Sequence, residues 1–270
     1  MTAIQLGPLA VSVAPLILFG ALLIGSAVGK WMGRKRQINI EPLLWNVLIA
    51  GVLAARIAFV WLYFDIYKKQ PWSILDIRDG GFLAAPGFIA AGALAAWYAW
   101  RQREKRKALV CSVAAGTAFW MIATLMPTLS ENNPAQVPQA QLLDLHGRPV
   151  HLSAITGKPM VVNLWATWCP PCRREMPALL DAQRANPDIT FVFVNQGEPA
   201  EAVRGFLDAN RLELQNVLLD ANLQVGKETG SRGMPTTLFF DAHGKLIDQR
   251  MGEVSEATLK QRIEALRRKN

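Results

Sequence analysis

Four stretches, residues 9–29, 43–64, 80–100 and 108–129, are long and almost uncharged, and they constrain this chain more than any other feature. Each is close to the roughly 20 residues that cross the hydrocarbon core of a bilayer. A chain that carries four of them in its first half has to place that half in lipid. The spacing therefore predicts a transmembrane region of four helices over residues 1–129, followed by a part of different physical character.

Charge then orients the helices. The net charge of +8 would point to nucleic acid if it were spread over a soluble surface. Residues 1–130 hold 13 Lys and Arg against 5 Asp and Glu, whereas residues 131–270 hold 16 of each, so the excess belongs to the membrane half. Most of it sits in two short loops, Lys30, Arg34, Lys35 and Arg36, then Arg101, Arg103, Lys105, Arg106 and Lys107. Short loops rich in Lys and Arg stay in the cytoplasm. That places the N-terminus and everything after the fourth helix on the opposite face, and it argues against a nucleic-acid partner. The first helix carries its charges after the apolar stretch rather than before it, the reverse of a signal peptide, so it is expected to be a retained anchor.

Between Pro127 and Pro138 the composition shifts to Ser, Glu, Asn and Gln with three prolines, which reads as a linker over 130–140. From Gln141 to the end, short apolar runs alternate with amphipathic ones, the pattern of an α/β domain with helices covering a sheet. Strands are expected at 142–145, 150–152, 160–165, 189–195, 236–241 and 245–251. Helices are expected after the Cys-Pro-Pro-Cys segment to about Ala185, at 199–210, briefly at 222–228, and from a Ser255 cap to Arg268.

Cys169, Pro170, Pro171 and Cys172 stand between a buried-type strand and a helix. A thiol at a helix N-terminus meets unpaired N–H groups and the positive end of the helix dipole, which favour the nucleophilic thiolate. Two intervening residues hold the second thiol one turn behind, within reach of a mixed disulfide. Cys169 is thus the expected nucleophile and Cys172 the resolving thiol of a redox disulfide. A zinc site needs two more ligands, but the chain has one other Cys, and His146, His151 and His243 fall in turn-like segments, so no metal is expected. The dithiol chemistry calls for no cofactor.

The stretch 161–179, VVNLWATWCPPCRREMPAL, resembles the thioredoxin superfamily, and within it the membrane-tethered reductases of the TlpA, ResA and cytochrome c maturation group. The resemblance runs from about Val137 to the end and implies a thioredoxin-like domain with a central mixed sheet flanked by helices. It implies a cis bond between Met234 and Pro235 facing the cysteines, a shielding role for Trp168, and a reductase of exported protein disulfides such as those of apocytochromes. It also implies a bacterial inner-membrane protein with a periplasmic domain, fed by a membrane thiol-disulfide electron donor; oxidase and isomerase stand as alternatives. The family's buried acid is not where expected, because the strand position is Asn163 and no Glu lies between the cysteines. Glu198 and Glu175 are the candidates to take the proton of the resolving thiol.

The segment from Leu6 to about Trp100 resembles the front of a prolipoprotein diacylglyceryl transferase, through Leu6-Gly7-Pro8-Leu9-Ala10, the Arg56 region and residues 77–90. Where that family has His before two glycines, this chain has Ala85 and Pro86 before Gly87, and the later Gly-Arg-x-Gly-Asn-Phe segment is absent. An anchor is expected, with a lipid enzyme carrying an appended redox domain as the alternative. A third reading is a peptide-docking module without turnover. Arg56, an ionisable group within an apolar helix, is either a packing device or a functional group. Cys111 lies about 6 Å into the cytoplasmic side of the core by helix rise, too far to pass electrons to Cys169.

Overall fold

The computed structural model describes residues 3–6, 9–34, 38–69, 71–130, 136–155, 157–231 and 233–269. The chain divides into two compact units. One comprises Val13–Ile74 and Gly81–Asn132; the other comprises Asn133–Asn270 with Met1–Ser12 and Leu75–Gly80.

A short hairpin, β1 (Ala3–Leu6) and β2 (Leu9–Ser12), precedes the helices, so the first helix begins four residues later than the apolar run does. The helical unit contains α1 (Val13–Gly33), α2 (Glu41–Leu62), the single turn α3 (Phe64–Tyr67), α4 (Ala84–Arg101) and α5 (Arg106–Ser130). Three helices have the length and composition of membrane spans: Pro15–Gly33, Glu41–Leu62 and Arg106–Leu125. The expected fourth, α4, is not among them. It is 18 residues long, built largely of Ala, and ends on Trp-Tyr-Ala-Trp-Arg, which dilutes its apolar content.

Small residues bring these helices together. A Cβ on Gly87 would sit 2.9 Å from the Gly51 carbonyl oxygen, and one on Gly116 would sit 2.9 Å from that of Ala21. Close backbone approach at small residues is how helices pack where the hydrophobic effect supplies no drive. Apolar side chains such as Phe19, Leu23, Leu53, Ile57 and Ile122 face outward. Exposed Trp31, Trp97 and Trp100 lie near the basic loops, and exposed Trp61 and Trp72 lie toward the other ends. Amphipathic rings at both ends are the pattern of membrane–water interfaces.

Arg56 is held by backbone carbonyls and aromatic rings. It is buried, donates from Nε and Nη2 to the Ile74 carbonyl at 3.2 and 3.0 Å, from Nη1 to Gly81 at 2.9 Å and from Nη2 to Ser73 at 3.3 Å. Phe59, Tyr67 and Phe82 present ring faces within 6 Å of the guanidinium. One guanidinium thus serves the carbonyls of Ser73 and Ile74, in a short 3-10 turn over Pro71–Leu75, and of Gly81, ahead of α4.

In the other unit the strands are β3 (Gln141–Asp144), β4 (Pro149–His151), β5 (Met160–Trp165), β6 (Thr190–Gln196), β7 (Val217–Asp220), β8 (Thr236–Phe240) and β9 (Leu246–Met251). They form one mixed sheet in the order β4-β3-β7-β6-β5-β8-β9. β5, β6 and β7 are parallel; β3 and β8 join them antiparallel. Helices α6 (Pro170–Ala185), α7 (Ala200–Ala209), α8 (Gln224–Glu228) and α9 (Glu256–Lys269) complete the unit. Apolar side chains bury on both sheet faces, Phe191, Phe193 and Phe239 on one and Val162, Val192 and Leu238 on the other. β5 is buried throughout and β6 in all but its first residue, which explains the unbroken apolar runs of the sequence. Residues 136–140, read from composition as linker, belong to the domain: Gln136 bridges Lys245 and Val137 donates to Gly244. β7 was not expected from the sequence.

Candidate redox site

The site forms where β5 ends. β5 and β8 pair with Leu164 opposite Thr236, which brings the residues just before Thr236 to the end of β5 that leads into the cysteines. The Met234–Pro235 bond there is cis, as the resemblance implied. α6 starts at once: Cys169 is its N-cap residue, in extended conformation, and Pro170 and Pro171 occupy the first helical positions, where no N–H is needed. The Cys169 Sγ accepts from the Cys172 N–H at 3.3 Å, so a helix-terminal donor points at the first sulfur. The two cysteines form a disulfide, with Cα atoms 5.3 Å apart. Cys172 is wholly buried, Cys169 nearly so, and Trp168 stands 65% exposed beside them. Met234 packs against the same apolar cluster.

Behind the pair lies a buried carboxyl. Cys172 and Glu175 are three residues apart on α6, hence neighbours on one helix face. Glu175 is 1% exposed. Its Oε1 accepts from Asn163 Nδ2 at 2.8 Å and its Oε2 from the Val254 N–H at 2.9 Å. Burial pushes its pKa up to about 8, against the lowering effect of those two hydrogen bonds. Asn163 also donates to Thr237 Oγ1 at 3.1 Å, while its own Oδ1, buried, has no partner among the described residues. Glu175 on α6 thus faces the Asn163 amide on β5.

Glu198, the other candidate proton acceptor, is placed differently. It lies just past β6, after Gly197 turns the chain at φ 81°. Its Oε2 accepts from the Thr167 N–H and from Asn195 Nδ2, both at 2.7 Å, and its Oε1 accepts from the Thr167 hydroxyl. It therefore grips the turn ahead of Cys169. Arg174 pairs with Glu253 at 2.6 Å, and Arg173 lies over the Phe206 ring, so neither is committed to a sulfur. Among the described residues no group of His, Cys, Asp or Glu has metal-site geometry.

Residues 130–264 match the Redoxin family model. The chain belongs to the redoxin family. Residues 1–126 match the model of prolipoprotein diacylglyceryl transferase, so the two halves resemble two different families. The thiol-disulfide oxidoreductase ResA of Halalkalibacterium halodurans is 30% identical over 160 residues, 58% of this chain and 90% of that protein. ResA of Bacillus subtilis is 28% identical over 153 residues, 56% of this chain and 83% of that protein. Among solved structures, that of dsbF from MTB in mixed oxidised and reduced forms matches at 32% identity. Its TM-score is 0.46, over 49% of this chain and 98% of that one. The redoxin member described here is a thiol-disulfide oxidoreductase of the ResA type joined to a membrane region resembling the diacylglyceryl transferase.

Proposed function

We propose that this protein is a multi-pass protein of the bacterial cytoplasmic membrane whose periplasmic domain reduces disulfides of exported proteins, apocytochromes c among them. The observation that carries the reading is the Cys169–Cys172 pair at the start of α6, with a helix-terminal N–H on the outer sulfur and a buried acid beside the inner one.

In the reduced enzyme, the Cys169 thiolate attacks a substrate disulfide, forming a mixed disulfide and releasing one substrate thiolate. Cys172 passes its proton to Glu175 and attacks Cys169 Sγ. The mixed disulfide breaks, the enzyme disulfide closes, and the second substrate thiolate leaves. It is the ionised Glu175 carboxylate that takes this proton, and burial, which raises its pKa to about 8, makes it a stronger base than an exposed carboxylate. Two electrons pass to the substrate, and a membrane dithiol donor restores the pair. Exposed Trp168 and the Met234–Pro235 segment form the face on which the substrate chain lies.

The topology rests on α4 crossing as well. α4 runs antiparallel along α2: Leu83 N–H donates to the Ala55 carbonyl at one end, Gly87 meets Gly51, and Asn46 donates to the Tyr98 hydroxyl at the other. A helix that follows a membrane-spanning partner over that length shares its depth, and 18 residues reach about 27 Å. Four crossings with both basic loops in the cytoplasm put the redox domain outside. The helical half serves as an anchor. Ala85 and Pro86 stand where the transferase family has its His, and Arg56 spends its donors on three carbonyls.

Trapping tests the reading. A Cys172→Ser chain retains the nucleophile without the resolving thiol, and is expected to accumulate mixed disulfides with periplasmic proteins through Cys169. Failure to trap any protein in Cys172→Ser, with unchanged substrate redox state in a Cys169→Ser strain, contradicts it.

A further inference from the structure

Among the described residues, Glu198 is the one carboxylate that holds the turn carrying Cys169, and no cation is among its described partners. Every described contact of its carboxylate is neutral: the Thr167 N–H, the Thr167 hydroxyl and the Asn195 amide. The Glu198 N–H in turn donates to Asn195 Oδ1 at 3.3 Å, so the residue is tied at backbone and side chain. Thr167 is two residues before Cys169, and both Thr167 and Glu198 are half-buried, where screening by water is incomplete. The two arginines after the cysteines are engaged elsewhere, Arg174 with Glu253 and Arg173 on Phe206.

We propose that Glu198 sets the redox poise of the Cys169–Cys172 pair: it positions the turn ahead of Cys169, and its negative charge disfavours the Cys169 thiolate and so lowers the reduction potential. The inference rests on the reading of this pair as a catalytic dithiol. Reduction of the disulfide takes two electrons and one proton to give a Cys169 thiolate and a Cys172 thiol, so it creates negative charge near a fixed negative charge. The disulfide form carries no such charge. A nearby carboxylate therefore penalises only the reduced form, and a penalised reduced form is a stronger reductant. Glu198 is a positioning residue; it touches neither substrate nor sulfur in the described contacts.

The geometry separates charge from positioning. In Glu198→Gln the side-chain oxygen can keep the Thr167 N–H and Asn195 amide, while the new N–H donates to the Thr167 hydroxyl, which accepts as readily as it donates. Every hydrogen bond survives and only the charge goes. Glu198→Asp keeps the charge and shortens the clamp. The experiment equilibrates the full chain and both variants in detergent with glutathione buffers, counts free thiols by mass tagging, and follows alkylation of Cys169 against pH.

For Glu198→Gln we expect the equilibrium constant for reduction to rise about tenfold, equivalent to about 30 mV, with Cys169 alkylation shifted to lower pH. Glu198→Asp is expected to keep the wild-type potential. A Glu198→Gln chain at the wild-type potential overturns the inference and leaves the reductase reading standing. So does a Glu198→Asp chain that shifts as far as Glu198→Gln. A strongly oxidising wild type that Glu198→Gln makes more oxidising still supports this inference while removing the reductase direction.

Discussion

Replacing Glu175 with Gln should change how the redox domain responds to pH. The carboxyl is buried against Asn163 and the Val254 N–H, and burial lifts its pKa from the ordinary 4.5 to about 8. The folded domain thus holds this proton more tightly than the unfolded chain does. Its contribution to stability is complete below about pH 4.5, declines as pH rises, and is gone above about pH 8. At 1.36 kcal/mol per unit the full loss is about 5 kcal/mol, about 4 of it above pH 5. Gln cannot ionise, and the site can accept it. With the Asn163 amide turned over, the unpartnered Oδ1 takes the Gln N–H, and the Gln oxygen keeps Val254. Urea unfolding of residues 136–270 from pH 5 to 9 is the assay. Wild type and Glu175→Gln should be close at pH 5 and separate in favour of Gln by about 4 kcal/mol at pH 9. Parallel curves would refute the argument that an ionisable buried Glu175 dominates this pH response.

The same substitution should slow closure of the enzyme disulfide by about ten- to a hundredfold and flatten its rise with pH, read by stopped-flow fluorescence. Arg56→Met should expose the 71–82 segment to protease in proteoliposomes, since three carbonyls lose their donor at about 1–3 kcal/mol each. Gly87→Leu should lower the thermal stability of the helical unit in detergent by several degrees, because the new side chain meets the Gly51 carbonyl oxygen. A single cysteine introduced at Gln102 in a chain lacking the native cysteines should resist membrane-impermeant maleimide in intact spheroplasts; labelling there would contradict the four-span topology.

Much of this architecture was legible because the signals were local. The CPPC segment, the buried strand before it and the helix after it are contiguous, and the structure has β5 over Met160–Trp165 and α6 ending at Ala185, as read. What escaped depended on distant chain. β7 is a four-residue run whose strand character comes from lying between β3 and β6. Glu175 looks exposed in sequence, but Val254, 79 residues on, closes over it. Glu198 sits where β6 ends, and only the parallel pairing of β5 with β6 brings it to Thr167. In the helical half the apolar runs marked the helices yet misplaced their starts, because residues 9–12 pair as a strand and 80–83 lead into α4 without being part of it.

The direction of electron flow shows most directly in the reduction potential of the wild-type chain. Equilibration against glutathione or dithiothreitol, with free thiols mass-tagged, should give a value well below about −200 mV, toward the thioredoxin end of the scale. A value near about −120 mV, at the strongly oxidising end, would contradict the account and make this protein a donor of disulfides.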